Sequence, residues 1–286
     1  MADKLYRAFG VHDVVAIPIP APPGALRTRR VRMYLRGGND QAARDVARGG
    51  LNGYEAPLPA LLIEAVRRFQ GAFIDVGANT GLYALLAACA RPHVDVHAFE
   101  PYPPVLEVLR SNVAINRPFV RVTLHATALS DNPGPCTLHL PPPLGSIIHT
   151  SASMDPDFNP PGGEVVAAQA TTLDNFWVDA GQPRVGVLKV DTEGTEDRVL
   201  IGGREVVKRN RPLVVYELLP RARVDAIADF ASELQYQDIR LHPDELIQGL
   251  DIAFDEDGWN HILVPIEKMS LLAEIAGRLG LGLRRM

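Results

Sequence analysis

The chain has 286 residues, 47% of them hydrophobic, and a formal net charge of -5. That is enough apolar material for one large core or two small ones, and the acidic balance excludes the basic excess that would attract a phosphate backbone, so nucleic acid is not an expected partner. Two cysteines, Cys89 and Cys136, exclude a disulfide framework and point to a reducing compartment.

Met1 to Gly10 lack the apolar run of a secretory signal, and no stretch reaches about 18 uninterrupted apolar residues, so no membrane span is expected. A cytoplasmic protein follows as the expectation. The one basic cluster, Arg27-Thr28-Arg29-Arg30-Val31-Arg32, reads as a solvated strand end, with a binding patch as the competing reading.

Val14 to Pro23 is apolar but proline-rich, which suits an edge segment. Val31 to Arg36 fits a short strand, and Gly49 to Gly53 a loop. Pro57 to Phe69 has apolar residues at helical spacing behind Pro57 and Pro59. Then strands and helices alternate. Strands are predicted at Ala72–Val76, Val94–Phe99, Arg121–His125, Val185–Val190 and Leu213–Leu218. Helices are predicted at Leu82–Ala90, Pro104–Asn116, Thr195–Arg209 and Val224–Leu234. Such alternation, with strands apolar throughout, implies an α/β fold with a doubly wound, mostly parallel sheet covered on both faces. Ligands then bind at the carboxyl ends of the strands, near the switch in strand order.

Pro141 to Gly163 interrupts this order. It is too polar and proline-rich for core, and reads either as a flexible loop or as a lid over the substrate. Leu271 to Leu283 is apolar enough to pack on a neighbouring copy, so a homo-oligomer is allowed for. The division expected is an extension at 1–56 followed by the main domain at 57–286.

The chemistry centres on Asp75-Val76-Gly77-Ala78-Asn79-Thr80-Gly81, set between a strand and a helix. Glycine lets the backbone turn sharply and lie against a ligand, and the helix start presents free amide N–H groups. The loop lacks the tight Gly-x-Gly start and third glycine of a dinucleotide fingerprint. Its opening acid repels a diphosphate but not a sulfonium amino acid. S-adenosylmethionine is therefore favoured over NAD. Glu100, at the tip of the second strand between Phe99 and Pro101, can accept two hydrogen bonds from a ribose diol. After the third strand, a flat base could lie on Ala126 or Ala128. Thr127, Ser130 and Asp131 are weak candidates there, and each also fits a turn.

Leu188-Lys189-Val190-Asp191-Thr192-Glu193-Gly194-Thr195-Glu196 brings acids and a lysine to the end of the fourth strand. Lys189 and Asp191 point the same way by alternation. They read as a base with its electrostatic partner, or as a structural ion pair. Glu193 is a second catalytic candidate, or else a cap for the following helix. Glu217 adds an acid to the same rim.

These stretches together resemble the FkbM family of methyltransferases. The resemblance is carried by Phe73 to Tyr83, by Ala98-Phe99-Glu100-Pro101 with Leu109 and Asn112, and by Leu188 to Glu196 with Leu200 and Gly202. Thr172-Leu173-Asp174, Glu217-Leu218 and Gly53-Tyr54-Glu55 also fit, so the likeness covers roughly residues 50 to 265. It implies a class I methyltransferase fold and O-methylation of hydroxyls on sugars, polyketides or similar metabolites. It places Asp75, Gly77, Asn79, Gly81 and Glu100 at the cofactor, and Asp191 and Glu193 at the active-site edge. The first 50 residues and the proline-rich loop depart from the family pattern and are expected to shape the acceptor site.

Methyl transfer to a hydroxyl needs alignment and removal of one proton. Asp191 is the expected base, with His149 and His261 as further candidates that also read as surface or packing histidines. A Mg²⁺-assisted version using Asp191, Glu193 and Glu217 has no ligand spacing to favour it, and no metal is expected. The rival functions are an NAD-dependent oxidoreductase, a non-catalytic S-adenosylmethionine-binding module, and nitrogen methylation of a macromolecule. The last lacks its usual proline flanked by aromatic residues, since Asp191-Thr192-Glu193-Gly194 stands in that place.

Overall fold

Ala72 to Val76 is buried at every position, and so is Val185 to Val190. Strands of this kind must have both faces covered. The computed structural model describes residues 13–21, 28–36, 39–117, 119–142 and 151–286. His149, Arg27, Met1 to Gly10 and the 143–150 part of the proline-rich loop lie outside the described residues.

In chain order, β1 (Val14–Ile19) and β2 (Arg29–Tyr34) form an antiparallel hairpin, followed by α1 (Gln41–Gly49) and α2 (Leu58–Arg68). Next come β3 (Ala72–Val76), α3 (Leu82–Ala90), β4 (Val96–Phe99), α4 (Pro103–Asn116) and β5 (Thr123–His125). Short β6 (Ala128–Leu129), β7 (Gly134–His139) and β8 (Val165–Thr171) make a separate small sheet. The chain returns through α5 (Leu173–Asp179), β9 (Val185–Val190), α6 (Glu196–Gly202), α7 (Arg204–Asn210), β10 (Leu213–Glu217) and α8 (Val224–Glu233). It ends with β11 (Tyr236–Leu241), β12 (Glu245–Gln248), β13 (Asn260–Pro265), α9 (Met269–Leu279) and β14 (Gly282–Arg285).

The main sheet runs β14-β12-β11-β13-β10-β9-β3-β4-β5. From β10 to β5 every pairing is parallel, and the order reverses between β3 and β9. Beyond β10 the pairings with β13 and on to β11 and β12 turn antiparallel. Alternation along the strands divides the core in two. Phe73, Val187 and Val215 face one apolar cluster with α2, α3, α4 and α9, while Ile74, Leu188 and Val214 face another with α5 to α8. This is the doubly wound, mostly parallel α/β sheet.

Two expectations need correction. The predicted helix over Thr195–Arg209 is broken into α6 and α7 at Gly202-Gly203, where the chain passes so near Ser130 that a Cβ on Gly202 would lie 2.1 Å from its carbonyl oxygen. Leu271 to Leu283 does not reserve its apolar face for another copy: Leu272, Ile275 and Ala276 are buried in the chain's own core, against α2. The N-terminal hairpin and α1 join that core as well, through Ile17, Ile19, Val31, Met33, Ala43 and Val46. Among the described residues, no helix is long and apolar enough to cross a membrane.

Candidate active site

The carboxyl ends of β3, β4, β9 and β10 converge on a cavity of about 210 Å³. The turn after β3 forms its floor. Gly77 adopts φ 71° and its N–H donates to the Phe99 carbonyl at 3.1 Å. A Cβ there would lie 1.7 Å from the Asp191 carbonyl oxygen, so backbone meets backbone across the switch point. Asn79 is also left-handed, at φ 52°, a conformation asparagine tolerates better than most residues. Its N–H donates to Glu100 Oε2 at 3.0 Å, and the Tyr102 N–H donates to Oε1 at 2.9 Å. Each Glu100 oxygen thus keeps lone pairs for a ligand. Burial pushes the Glu100 carboxyl up to about 7, against those two backbone bonds.

Of the residues read as cofactor contacts, Gly77, Asn79, Phe99, Glu100, Ala128 and Asp191 line the cavity. Asp75 and Gly81 do not. Asp75 is fully buried behind the loop, beside Lys189 in register on β9, and burial raises its carboxyl to about 6 although Lys189 pulls the other way. Gly81 packs on Leu109 at the start of α3. Phe99, which lines the cavity, stacks on His125 at 4.3 Å with Phe176 edge-on.

The opposite wall is acidic. Asp191 and Glu193 line it with Glu217. Lys189 lies behind them, its ammonium 2.7 Å from Asp191 Oδ2 and 4.8 Å from the Tyr83 ring centre. Burial alone would lower the Lys189 pKa, but Asp191, Asp75 and Glu55 outweigh it and raise it. Burial, then the Asp191 charge, push Glu193 up to about 8 and Glu217 up to about 10. The helix-cap reading of Glu193 passes to Glu196, whose Oε1 accepts from the Thr192 N–H at 2.7 Å and whose carboxylate also faces the Gly194 N–H. His261 is away from this cavity. It is fully buried on β13, with Nδ1 3.0 Å from Asp238 Oδ2, and the Tyr216 hydroxyl donates to the same carboxylate at 2.7 Å. It is a packing histidine in a buried polar cluster.

The third side of the cavity comes from the N-terminal segment, which the sequence expects to shape the acceptor site without singling out residues: Asp40 and Gln41 line it, with Tyr54 and Glu55 of the Gly53-Tyr54-Glu55 stretch. Asp40 caps α1, accepting from the Ala43 N–H at 2.9 Å. An aspartate directly before an amphipathic helical stretch is the available signal. Glu55 accepts from the Tyr83 hydroxyl, and burial followed by the Asp191 charge raises its pKa. From the proline-rich loop, Ser151, Ala152 and Met154 close over the site. Ser153 fastens this stretch to the acidic wall by donating to the Glu193 carbonyl at 2.7 Å. Among the described residues, no group of three or more His, Cys, Asp or Glu side chains is placed to hold a metal ion.

The sequence profile of the methyltransferase FkbM domain matches residues 75–238. The 31-O-demethyl-FK506 methyltransferase FkbM of Streptomyces tacrolimicus is 32% identical over 151 residues, 45% of this chain and 57% of that protein. The 2-O-methyltransferase NoeI of Sinorhizobium fredii is 22% identical over 161 residues, 52% of this chain and 64% of that protein. The chain thus spans less than two thirds of the length of either relative. A crystal structure of a methyltransferase FkbM from Methylobacillus flagellatus has a TM-score of 0.45 and 17% identity, covering 68% of this chain and 43% of that one. The profile begins on the acid that opens the glycine turn, ends in β11 and takes in more than half of the residues, and on that match the chain belongs to the FkbM family of methyltransferases.

Proposed function

We propose that the chain is an S-adenosylmethionine-dependent O-methyltransferase acting on a hydroxyl of a small molecule, such as a sugar or a polyketide-type metabolite. One observation carries the reading: Glu100 and Asp191 line one cavity on either side of Gly77, whose missing Cβ leaves room for close backbone contact. This arrangement suits a nucleoside with a positive centre, the ribose at Glu100 and the charge toward the acidic wall. The O-methylation named for the two relatives supports the choice of acceptor atom. Residues 57–286 are the methyltransferase domain, and residues 1–56 supply one side of the acceptor site.

When bound, S-adenosylmethionine would supply a methyl group activated by a positively charged sulfur. Glu100 accepts hydrogen bonds from the ribose hydroxyls. Asp191, fixed by Lys189, receives the proton of the acceptor hydroxyl, and Glu193 stands beside it on the acidic wall. The loop around Ser153 limits water at the reacting atoms.

Calorimetry with S-adenosylhomocysteine should give one-site binding that Glu100→Ala abolishes. Mass spectrometry of hydroxylated metabolites incubated with chain and cofactor should show a methyl mass gain. Asp191→Asn should cut kcat by about 10²–10⁴-fold with cofactor affinity retained. Absence of binding ends the cofactor assignment, and full activity in Asp191→Asn removes that carboxylate from the reaction.

A further inference from the structure

A second cavity, of about 930 Å³, lies at the other end of the sheet. It is bordered by the carboxyl end of α3 and the segments that enter β4 and β5, so it sits at the amino ends of the parallel strands. Arg29, Arg30, Arg32, Arg67 and Arg121 line it, and among the described residues no aspartate or glutamate does. Such a concentration is local, since the chain as a whole carries a net charge of -5.

Two of these arginines have structural work. Arg67 pairs with Glu64 and reaches the Ala90 carbonyl at 3.4 Å, and Arg29 reaches the Cys89 carbonyl at 3.4 Å. Both neutralise the negative end of α3. Arg30, Arg32 and Arg121 are exposed and form no ion pair among the described residues. Beside them Phe119 is 78% exposed, and Val94 and Ile115 make an apolar wall. Uncompensated guanidinium groups gathered on a concave surface repel one another until an anion joins them.

We propose that this groove binds a soluble ligand carrying a diphosphate, with its organic body against Phe119 and Ile115. Guanidinium forks match phosphoryl oxygens in pairs. Three unpaired cations call for more negative charge than one carboxylate provides. The volume lies in the range of small-molecule sites, which favours a discrete ligand over a flat macromolecular surface.

The test is isothermal titration of the whole chain, its methyl-donor pocket filled with S-adenosylhomocysteine, with uridine diphosphate and separately with inorganic pyrophosphate. Uridine diphosphate should bind at one site, and pyrophosphate more weakly. The Arg30→Gln/Arg32→Gln/Arg121→Gln variant should weaken both by at least about tenfold, and Phe119→Ala should weaken only uridine diphosphate. Arg121→Gln alone, outside the hairpin, gives the same direction if the triple variant melts early. No binding of uridine diphosphate, or equal binding by folded variants, overturns the proposal. So does co-sedimentation with phosphatidylglycerol vesicles without uridine diphosphate binding, which would make the groove a membrane surface.

Discussion

The ammonium of Lys189 meets Asp191 Oδ2 at 2.7 Å, two residues on and just past the end of β9, with only 3% of the lysine side chain exposed and 27% of the aspartate. Lys189 is thus the buried half of a pair whose other half faces the cavity. It also stands among Asp75 and Glu55, which both act on its charge.

Removing Lys189 should therefore damage the fold as well as the chemistry. Lys189→Met leaves several buried carboxylates without a cation, and losing one partner of such a pair costs about 3–5 kcal/mol. Chemical denaturation should show that loss, whereas Asp191→Asn should lose much less, because asparagine can still accept from Lys189. Equal stability of the two variants would show that Lys189 does not hold the buried acids together.

Cofactor affinity should rise with pH. Burial raises Glu100 from its ordinary value of 4.5 to about 7. The ligand needs its ionised form, so below pH 7 binding must expel a proton, and affinity should grow by up to about tenfold per pH unit and level off above. Calorimetry with S-adenosylmethionine from pH 5.5 to 8.5 checks this. Glu100→Gln should flatten the step near 7. In the unliganded chain the sign is reversed for stability: the folded state holds this proton longer than the unfolded one, so stability falls as pH climbs from 4.5 through 7. Affinity that decreases over the same range would refute a carboxylate at the ribose.

His261 should matter for stability and not for turnover. Its Nδ1 is engaged with Asp238, and the ring is fully enclosed between Tyr216 and Arg240 on neighbouring strands. His261→Ala opens a cavity and strips a buried carboxylate of one partner, which should cost about 2–4 kcal/mol. At a temperature where the variant is folded, kcat should match the parent. A selective loss of kcat would return His261 to the catalytic group.

Why the sequence reading reached some of this and not the rest follows from range. β3 and β9 are apolar throughout because both faces are covered, and such runs announce themselves. The turn at Gly77 is equally local, since its glycine and flanking acid lie in one heptapeptide. β7 and β8 largely alternate in burial and carry weaker patterns, and the antiparallel pairings of β11 with β12 and β13 depend on partners distant from the motifs. The site's third wall depends on contacts across the chain, as where Glu55 meets Tyr83. The two readings of His261, catalytic candidate and packing histidine, could not be separated locally for the same reason: Asp238, its partner, comes from another strand.

Asn112 ties the glycine turn to the N-terminal hairpin, and its loss should be felt at both. It is fully buried on α4. Its Oδ1 accepts from the Tyr34 N–H at 2.9 Å, and its Nδ2 donates to the Thr80 carbonyl at 2.8 Å. Asn112→Ala leaves two buried backbone groups without partners, at about 1–3 kcal/mol each. Because Thr80 follows Asn79, whose N–H holds Glu100, the turn should loosen at the cofactor while the hairpin loosens at Asp40. The expected result is a lower Tm together with a weaker Kd for S-adenosylhomocysteine. Ser111→Ala, which removes only an exposed bond within the same helix, should leave Kd unchanged and Tm nearly so. If Asn112→Ala lowers Tm while Kd holds, the turn keeps its shape without the hairpin and the two are mechanically independent.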